Sequence, residues 1–258
     1  MGARSVLFTV AGVVTLLAAL APSTLAGEPW SPYNGEWGFR LGGFFPSGDS
    51  DAWRATGSGL TLDASDFNGG TFGFTFAASL NPNLDMALST DWLGSTTHSS
   101  YRNYVFEDNS PITQCETLRL MPVDFSFRIL PTGRTAPRGT KGRRVLRPVV
   151  PYFGGGLGLM FWEYEQSGDF IDFTDPTGLL IYHGYAEVQS VTLSANVLAG
   201  IEIQFSPWIA MQVEGRYRWA TGDLGSDFHE LAARGSIAPN DHLDLGGSSL
   251  TTGVVFRF

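Results

Sequence analysis

Eight stretches of this chain alternate apolar with small or polar side chains at period two, the pattern of strands with one oily and one polar face. The first sets Trp37, Phe39 and Leu41 against Gly38, Arg40 and Gly42, and the second Phe72, Phe74, Phe76, Ala78 and Leu80 against Gly73, Thr75, Ala77 and Ser79. After Asn81-Pro82-Asn83, Leu84, Met86, Leu88 and Trp92 alternate with Asp85, Ala87, Ser89 and Asp91. The fourth opposes Val123, Phe125, Phe127 and Ile129 to Asp124, Ser126 and Arg128, and the fifth Phe153, Leu157, Leu159 and Phe161 to Gly154, Gly156 and Gly158. In the sixth, Leu193, Ala195, Val197, Ile201, Ile203 and Phe205 face away from Thr192, Ser194, Asn196, Glu202 and Gln204. Beyond Ser206-Pro207-Trp208, the seventh sets Ile209, Met211, Val213, Tyr217 and Trp219 against Gln212, Glu214, Arg216 and Arg218. The eighth runs from Leu250 to Phe258, with Leu250, Val254, Phe256 and Phe258 on the face opposite Arg257. The fourth loses phase over Leu118-Arg119-Leu120-Met121 above Pro122, which predicts a bulge there.

Met1 to Ala26 has the build of an export signal: Arg4, an apolar run from Val6 to Ala21, and Thr24-Leu25-Ala26 at the cleavage position. The mature protein is then 27–258, with 27–35 a short periplasmic segment and 36–258 the strand-bearing domain. None of its stretches approaches the roughly 18 uninterrupted apolar residues of a helical span. Short turns join strands two–three and six–seven, whereas connections one–two, three–four, five–six and seven–eight are about 20 residues or longer, the asymmetry of an outer-membrane barrel from which only the fourth–fifth connection, 131–148, departs. A lipocalin-like barrel would also alternate, with its apolar face inward. Here the polar face is mostly Gly, Ser, Thr and Ala, which suits the narrow interior of eight strands, and the other face carries too much Phe, Leu and Trp to fit inside. The expected fold is all-β, an eight-stranded antiparallel up-and-down transmembrane barrel closed between the first and last strands, which leaves no unpaired edge in lipid.

The inward face carries Arg40, Asp85, Asp91, Asp124, Arg128, Glu202, Glu214, Arg216, Arg218 and Arg257. Buried charges are tolerated when paired, and equal numbers of acids and bases permit it. Strand direction puts Asp91, Glu214, Arg216 and Arg218 at mid-height or above, and the others, Asp124 included, in the periplasmic half. An ion-paired core that fills the barrel is the first reading; a narrow selective path that opens by re-pairing is the second. The expected outer loops, 44–69, 94–115, 165–189 and 220–244, are rich in Asp and Glu against Arg54, Arg102 and Arg234. Such a crown meets lipopolysaccharide phosphates only through bridging divalent cations. Asp169, Asp172 and Asp175 lack calcium-loop spacing. All four histidines, His98, His183, His229 and His242, fall in these loops without ligand spacing, so neither metal nor cofactor is expected. Ser226, His229 and Glu230 are the nearest approach to a catalytic grouping and match no motif. Lone Cys115 excludes an intrachain disulfide, and a net charge of −9 argues against nucleic acid. Six of the chain's 16 cationic residues, Arg134, Arg138, Lys141, Arg143, Arg144 and Arg147, sit in 131–148, which reads as a flexible periplasmic excursion.

With these features together, the chain resembles the small eight-stranded outer-membrane barrels of the OmpA-like and OmpW-like group. The resemblance rests on the export signal, the strand pattern, the run Val149-Val150-Pro151-Tyr152-Phe153-Gly154-Gly155-Gly156-Leu157-Gly158 and the terminal strand. It implies a bacterial outer-membrane location, lipid and lipopolysaccharide around the barrel, and Val254, Phe256 and Phe258 as the signal read by the barrel-assembly machinery. No peptidoglycan-binding domain is expected after the last strand. The function expected is structural or surface-interacting rather than enzymatic. A narrow conduit for small or hydrophobic solutes, as OmpW-like members suggest, is the alternative, and a lipid A-modifying enzyme the third.

Overall fold

The computed structural model describes residues 35–48, 53, 59–138, 143–175, 180–225, 228, 230, 234 and 242–258. The expected export signal and nearly all of 27–35 lie outside them. Its strands are β1 (Gly35–Pro46), β2 (Gly69–Asn81), β3 (Leu84–Val105), β4 (Pro111–Ile129), β5 (Thr135–Arg138), β6 (Arg143–Leu146), β7 (Val149–Asp172), β8 (Leu180–Gln204), β9 (Ile209–Asp223), β10 (His242–Asp244) and β11 (Gly247–Arg257). Eight of them form a closed antiparallel ring in the order β1, β2, β3, β4, β7, β8, β9, β11. Trp37 lies opposite Phe256 and Phe39 opposite Val254 where β11 returns to β1. The Trp37 and Phe256 rings stack across this seam with centroids 4.6 Å apart. This is the eight-stranded barrel the alternation predicts.

Two of the expected outer loops are mostly strand. β3 and β4 extend to a short turn between Val105 and Pro111, and β7 and β8 run to Asp172 and from Leu180. A barrel strand crosses a bilayer in roughly 9–11 residues, so β7 with 24 and β8 with 25 project well beyond one. The expected bulge at Leu118–Met121 is also absent. β4 keeps a single register with β7 from Gln114 opposite Gly168 to Ile129 opposite Phe153.

What changes at that point is the environment, not the phase. Below it, outward residues such as Phe125, Phe153, Leu157 and Leu193 are exposed and apolar, while Asp124 and Arg128 point in and are buried. Above it, the inward positions of the same strands become apolar: Leu118 and Leu120 on β4, Met160, Trp162 and Tyr164 on β7, Leu93 on β3, Phe44 on β1 and Ala220 on β9. The outward positions turn polar in step, with His98 and Arg119 exposed and Glu163 and Glu165 half-buried. The barrel therefore has two storeys. The lower is oily outside and charged inside, as lipid requires; the upper is polar outside and apolar inside, as water requires. Segments outside the ring help fill the upper storey, since Trp53, Leu60, Leu62, Phe67 and Phe228 all enter its apolar cluster.

Close approach of strands in the lower storey depends on the glycine run of β7. A Cβ on Gly156 would lie 1.9 Å from the Phe125 carbonyl oxygen, a position nothing larger than hydrogen can take. These inward glycines leave the width of the lumen to the long arginines of the facing strands.

Candidate functional site

The lumen of the lower storey gathers all ten of the inward charges named from the sequence: Arg40, Asp85, Asp91, Asp124, Arg128, Glu202, Glu214, Arg216, Arg218 and Arg257 are each buried. Each arrives by the period-two rule, on alternate positions of β1, β3, β4, β8, β9 and β11. Two further charges join them. Glu36 opens β1 one step from the predicted stretch and is buried, and Arg134 enters from the connection between β4 and β5.

Two clusters result. In the upper one, Arg40 Nε lies 2.7 Å from Asp91 Oδ1 and Arg40 Nη1 3.3 Å from Glu214 Oε1. Arg216 reaches Asp124 at 2.7 Å and Glu214 at 2.8 Å. Arg218 Nε meets Asp124 Oδ2 at 2.9 Å, and its Nη2 pairs with Asp91. Arg40 and Asp124 therefore belong with this cluster and not with the periplasmic half expected from strand direction: the Arg40 side chain reaches Asp91 and Glu214, and two long β9 arginines reach across to Asp124. In the lower cluster, Arg134 Nη2 lies 3.1 Å from Glu36, 2.7 Å from Asp85 and 2.9 Å from Glu202. Arg257 pairs with the same Glu36 and Glu202 at 3.1 and 2.5 Å. Arg128 ties the two together, touching Glu36 at 3.4 Å and Glu214 at 3.5 Å. Its guanidinium also sits 5.3 Å over the Tyr152 ring, whose hydroxyl donates to Glu214 at 3.1 Å.

The charges balance: Glu36, Asp85, Asp91, Asp124, Glu202 and Glu214 face Arg40, Arg128, Arg134, Arg216, Arg218 and Arg257. They also span the lumen. β3 and β9 stand diametrically opposite in the ring, yet Arg216 Nη1 donates to Ser89 Oγ at 2.8 Å and Arg218 pairs with Asp91. Ser126 Oγ and Asn196 Oδ1, on β4 and β8, meet at 3.2 Å.

Arg134 corrects the reading of 131–148 as a flexible excursion. β5 and β6 form a hairpin in which Thr135 pairs with Leu146 and Arg138 with Arg143. The turn ahead of it is pinned by Asn83, whose Nδ2 donates to the Leu130 carbonyl at 2.7 Å. The hairpin thus presents Arg134 to three carboxylates in the barrel floor. A turn rich in Pro and Gly gave no periodic signal that could have found it. The count of charges would have found it only with Glu36 included, when the strands carry one more acid than base.

The expected loop groupings do not converge. His98 and His183 face outward, and His183 Nδ1 lies 3.2 Å from Asp169 Oδ1. Ser226 and His229 lie outside the described residues, and Glu230 pairs with Arg234 at 3.0 Å. Among the described residues no three His, Cys, Asp or Glu side chains come together as a metal site.

One carboxylate stands apart. Glu116 is completely buried in the upper storey, accepting from Ser99 Oγ at 2.6 Å and Gln166 Nε2 at 3.5 Å. No arginine or lysine among the described residues forms an ion pair with it. Burial pushes its pKa up, against the opposing hydrogen bonds from Ser99 and Gln166. A carboxyl whose folded pKa is raised favours the fold fully below the ordinary carboxylate range and loses that contribution as pH rises through the folded value. Glu116→Gln is therefore expected to stabilise the barrel by about 1–3 kcal/mol at pH 8 and to have little effect at pH 4. Urea unfolding followed by tryptophan fluorescence at both pH values checks this; equal effects would contradict it.

No protein-family model matches the chain, and comparison with curated proteins found no match. Several solved structures are similar in shape. Neisserial surface protein A has a TM-score of 0.45 at 12% identity, covering 87% of this chain and 96% of its own. A major outer membrane protein from Thermus thermophilus gives 0.43 at 11% identity, covering 87% and 99%. Ail, the attachment invasion locus protein of Yersinia pestis, gives 0.40 at 12% identity, again covering 87% and 99%. The closed ring and its outward apolar belt make this chain an eight-stranded transmembrane β-barrel.

Proposed function

We propose that this protein is an outer-membrane barrel with a closed lumen, whose role is to hold the upper storey above the lipid as an interaction surface. The observation that carries this reading is the wall-to-wall, charge-balanced network of the lower storey, followed at once by a packed apolar interior. A conduit would need to disrupt both. The narrow conduit for small or hydrophobic solutes is the competing reading, and it predicts ion steps where this one predicts none. No arrangement of Ser, His and carboxylate among the described residues supports lipid A chemistry.

The belt of Trp37, Phe39, Phe74, Leu157 and Leu193 sits in lipid, and Val254, Phe256 and Phe258 are the strand offered to the barrel-assembly machinery. Divalent cations would join acids on the outer face to lipopolysaccharide phosphates. In this orientation the Phe106–Ser110 turn faces the cell exterior and the Arg134 hairpin faces the periplasm. An epitope inserted after Asp108 should be detected by antibody on intact cells, and one inserted at 139–142 only after permeabilisation. The opposite pattern would overturn the reading.

A further inference from the structure

The ladder between β4 and β7 ends at Gln114 opposite Gly168. Beyond that point β3 and β4 stay together as far as Val105 opposite Pro111, and β7 and β8 as far as Asp172 opposite Leu180. The wall of the upper storey thus parts into two hairpin tips. The split starts at Gly168, whose φ of +138° suits glycine and where a Cβ would lie 2.5 Å from the Thr113 carbonyl oxygen.

Between the tips lies an open cleft of about 580 Å³. Tyr104, Val105 and Ile112 line one side and Leu180 and Ile181 the other, with Glu107 and Asp108 completing it. Val105 and Leu180 are each 53% exposed, unusual for aliphatic side chains at the water-facing end of a barrel. Lipid does not explain them: the outward positions between this tip and the oily belt are polar, among them Glu163, Glu165, Glu187 and Gln189. The lining holds two carboxylates and no cation. The Ser110 hydroxyl and backbone N–H, both hydrogen-bonded to Asp108, hold that carboxyl below its usual range, so it stays ionised at neutral pH. On the β7 side Asp172 pairs with Arg234 at 4.0 Å and Asp169 lies 3.2 Å from His183, so the cleft's own negative charge is that of Glu107 and Asp108.

We propose that this cleft is a docking site for a segment of a partner protein carrying apolar side chains flanked by lysine or arginine. Val105, Leu180 and Ile181 receive the apolar side chains, and Glu107 and Asp108 receive the flanking cations. Charge complementarity selects the partner and speeds encounter, while the apolar floor supplies affinity. The proposal rests on the reading that the upper storey is an interaction surface.

The test uses the full mature barrel refolded into phosphatidylcholine nanodiscs, with empty nanodiscs as control. The probe is a fluorescent peptide, Lys-Arg-Leu-Phe-Leu-Arg-Lys, beside its charge-inverted twin, Glu-Asp-Leu-Phe-Leu-Asp-Glu. The basic peptide is expected to bind saturably, more weakly as salt rises, and the acidic twin not to bind. The double substitution Val105→Lys with Leu180→Lys should weaken binding by at least about tenfold. Glu107→Gln with Asp108→Asn should weaken it less and flatten the salt dependence. Retention of the folded barrel is verified by its mobility shift on unheated gels. Absence of saturable binding, equal binding of the twin, or unchanged binding by the lysine variant would overturn the proposal. Binding in nanodiscs is independent of orientation in cells, so an inverted epitope pattern would sink the functional reading without touching the cleft.

Discussion

Arg134→Ala is expected to lower the unfolding free energy of the barrel by about 3–5 kcal/mol, the usual effect of removing one partner of a buried ion pair. The size follows from what the guanidinium touches. Its Nη2 alone lies within 3.1 Å of Glu36, Asp85 and Glu202, and its Nε donates to Glu202 at 3.1 Å. Among the described residues Asp85 has no other cationic partner; removal leaves it with the Ser79 hydroxyl at 2.8 Å. Arg134→Lys should recover less than half of the loss, because one ammonium cannot reproduce a fork addressing three carboxylates. Adding Asp85→Asn to Arg134→Ala should recover part of it, since the buried charge left behind is then gone. Urea titration of the refolded protein in lipid vesicles measures these three variants against the wild type. An Arg134→Ala variant as stable as the wild type would mean that the hairpin merely rests on the barrel floor.

The second large effect distinguishes the storeys along a single strand. Leu157, 70% exposed near the middle of the β7 belt, should cost about 2–4 kcal/mol when replaced by Arg, because its surroundings are lipid. Glu163→Arg, on the same outward face six residues further along, should cost no more than about 1 kcal/mol, the loss of its exposed pair with Arg119, because water surrounds the upper storey. On the inward face Trp162→Ala should cost about 3–5 kcal/mol from its cavity and lost burial. A barrel without the inversion would give the reverse order at 157 and 163 or no difference. The comparison needs only one measured quantity, the unfolding free energy in vesicles.

The same inversion explains what could and could not be read from the sequence. The eight strands and the closure of Trp37 against Phe256 were legible because alternation persists along each lower strand and lipid leaves only one face for Phe and Leu. Leu118 and Leu120 were misread because alternation gives two faces without saying which is which. Once the surroundings change from lipid to water, an unbroken strand looks out of phase with itself. The expected loops 94–115 and 165–189 failed for that reason, since their residues keep period two with the sign reversed. Of the eleven lumen charges on strands, ten were legible from phase alone. Glu36 was passed over at the margin of β1, and Arg134 sits in a turn where no period exists. Strand position alone sets Arg40 and Asp124 too low, because the Arg40 side chain reaches Asp91 and Glu214 and the long Arg216 and Arg218 side chains reach Asp124.

The closed lumen is the centre of this account, and single-channel recording tests it most directly. The mature barrel refolded into a planar bilayer is expected to give no stable conductance steps, and neither should Arg134→Ala, because Arg216 to Ser89 and Arg218 to Asp91 still cross the full width above it. Stable ion steps in the wild-type protein, abolished or resized by Glu214→Ala or Arg216→Ala, would contradict the account and establish the lumen as a path.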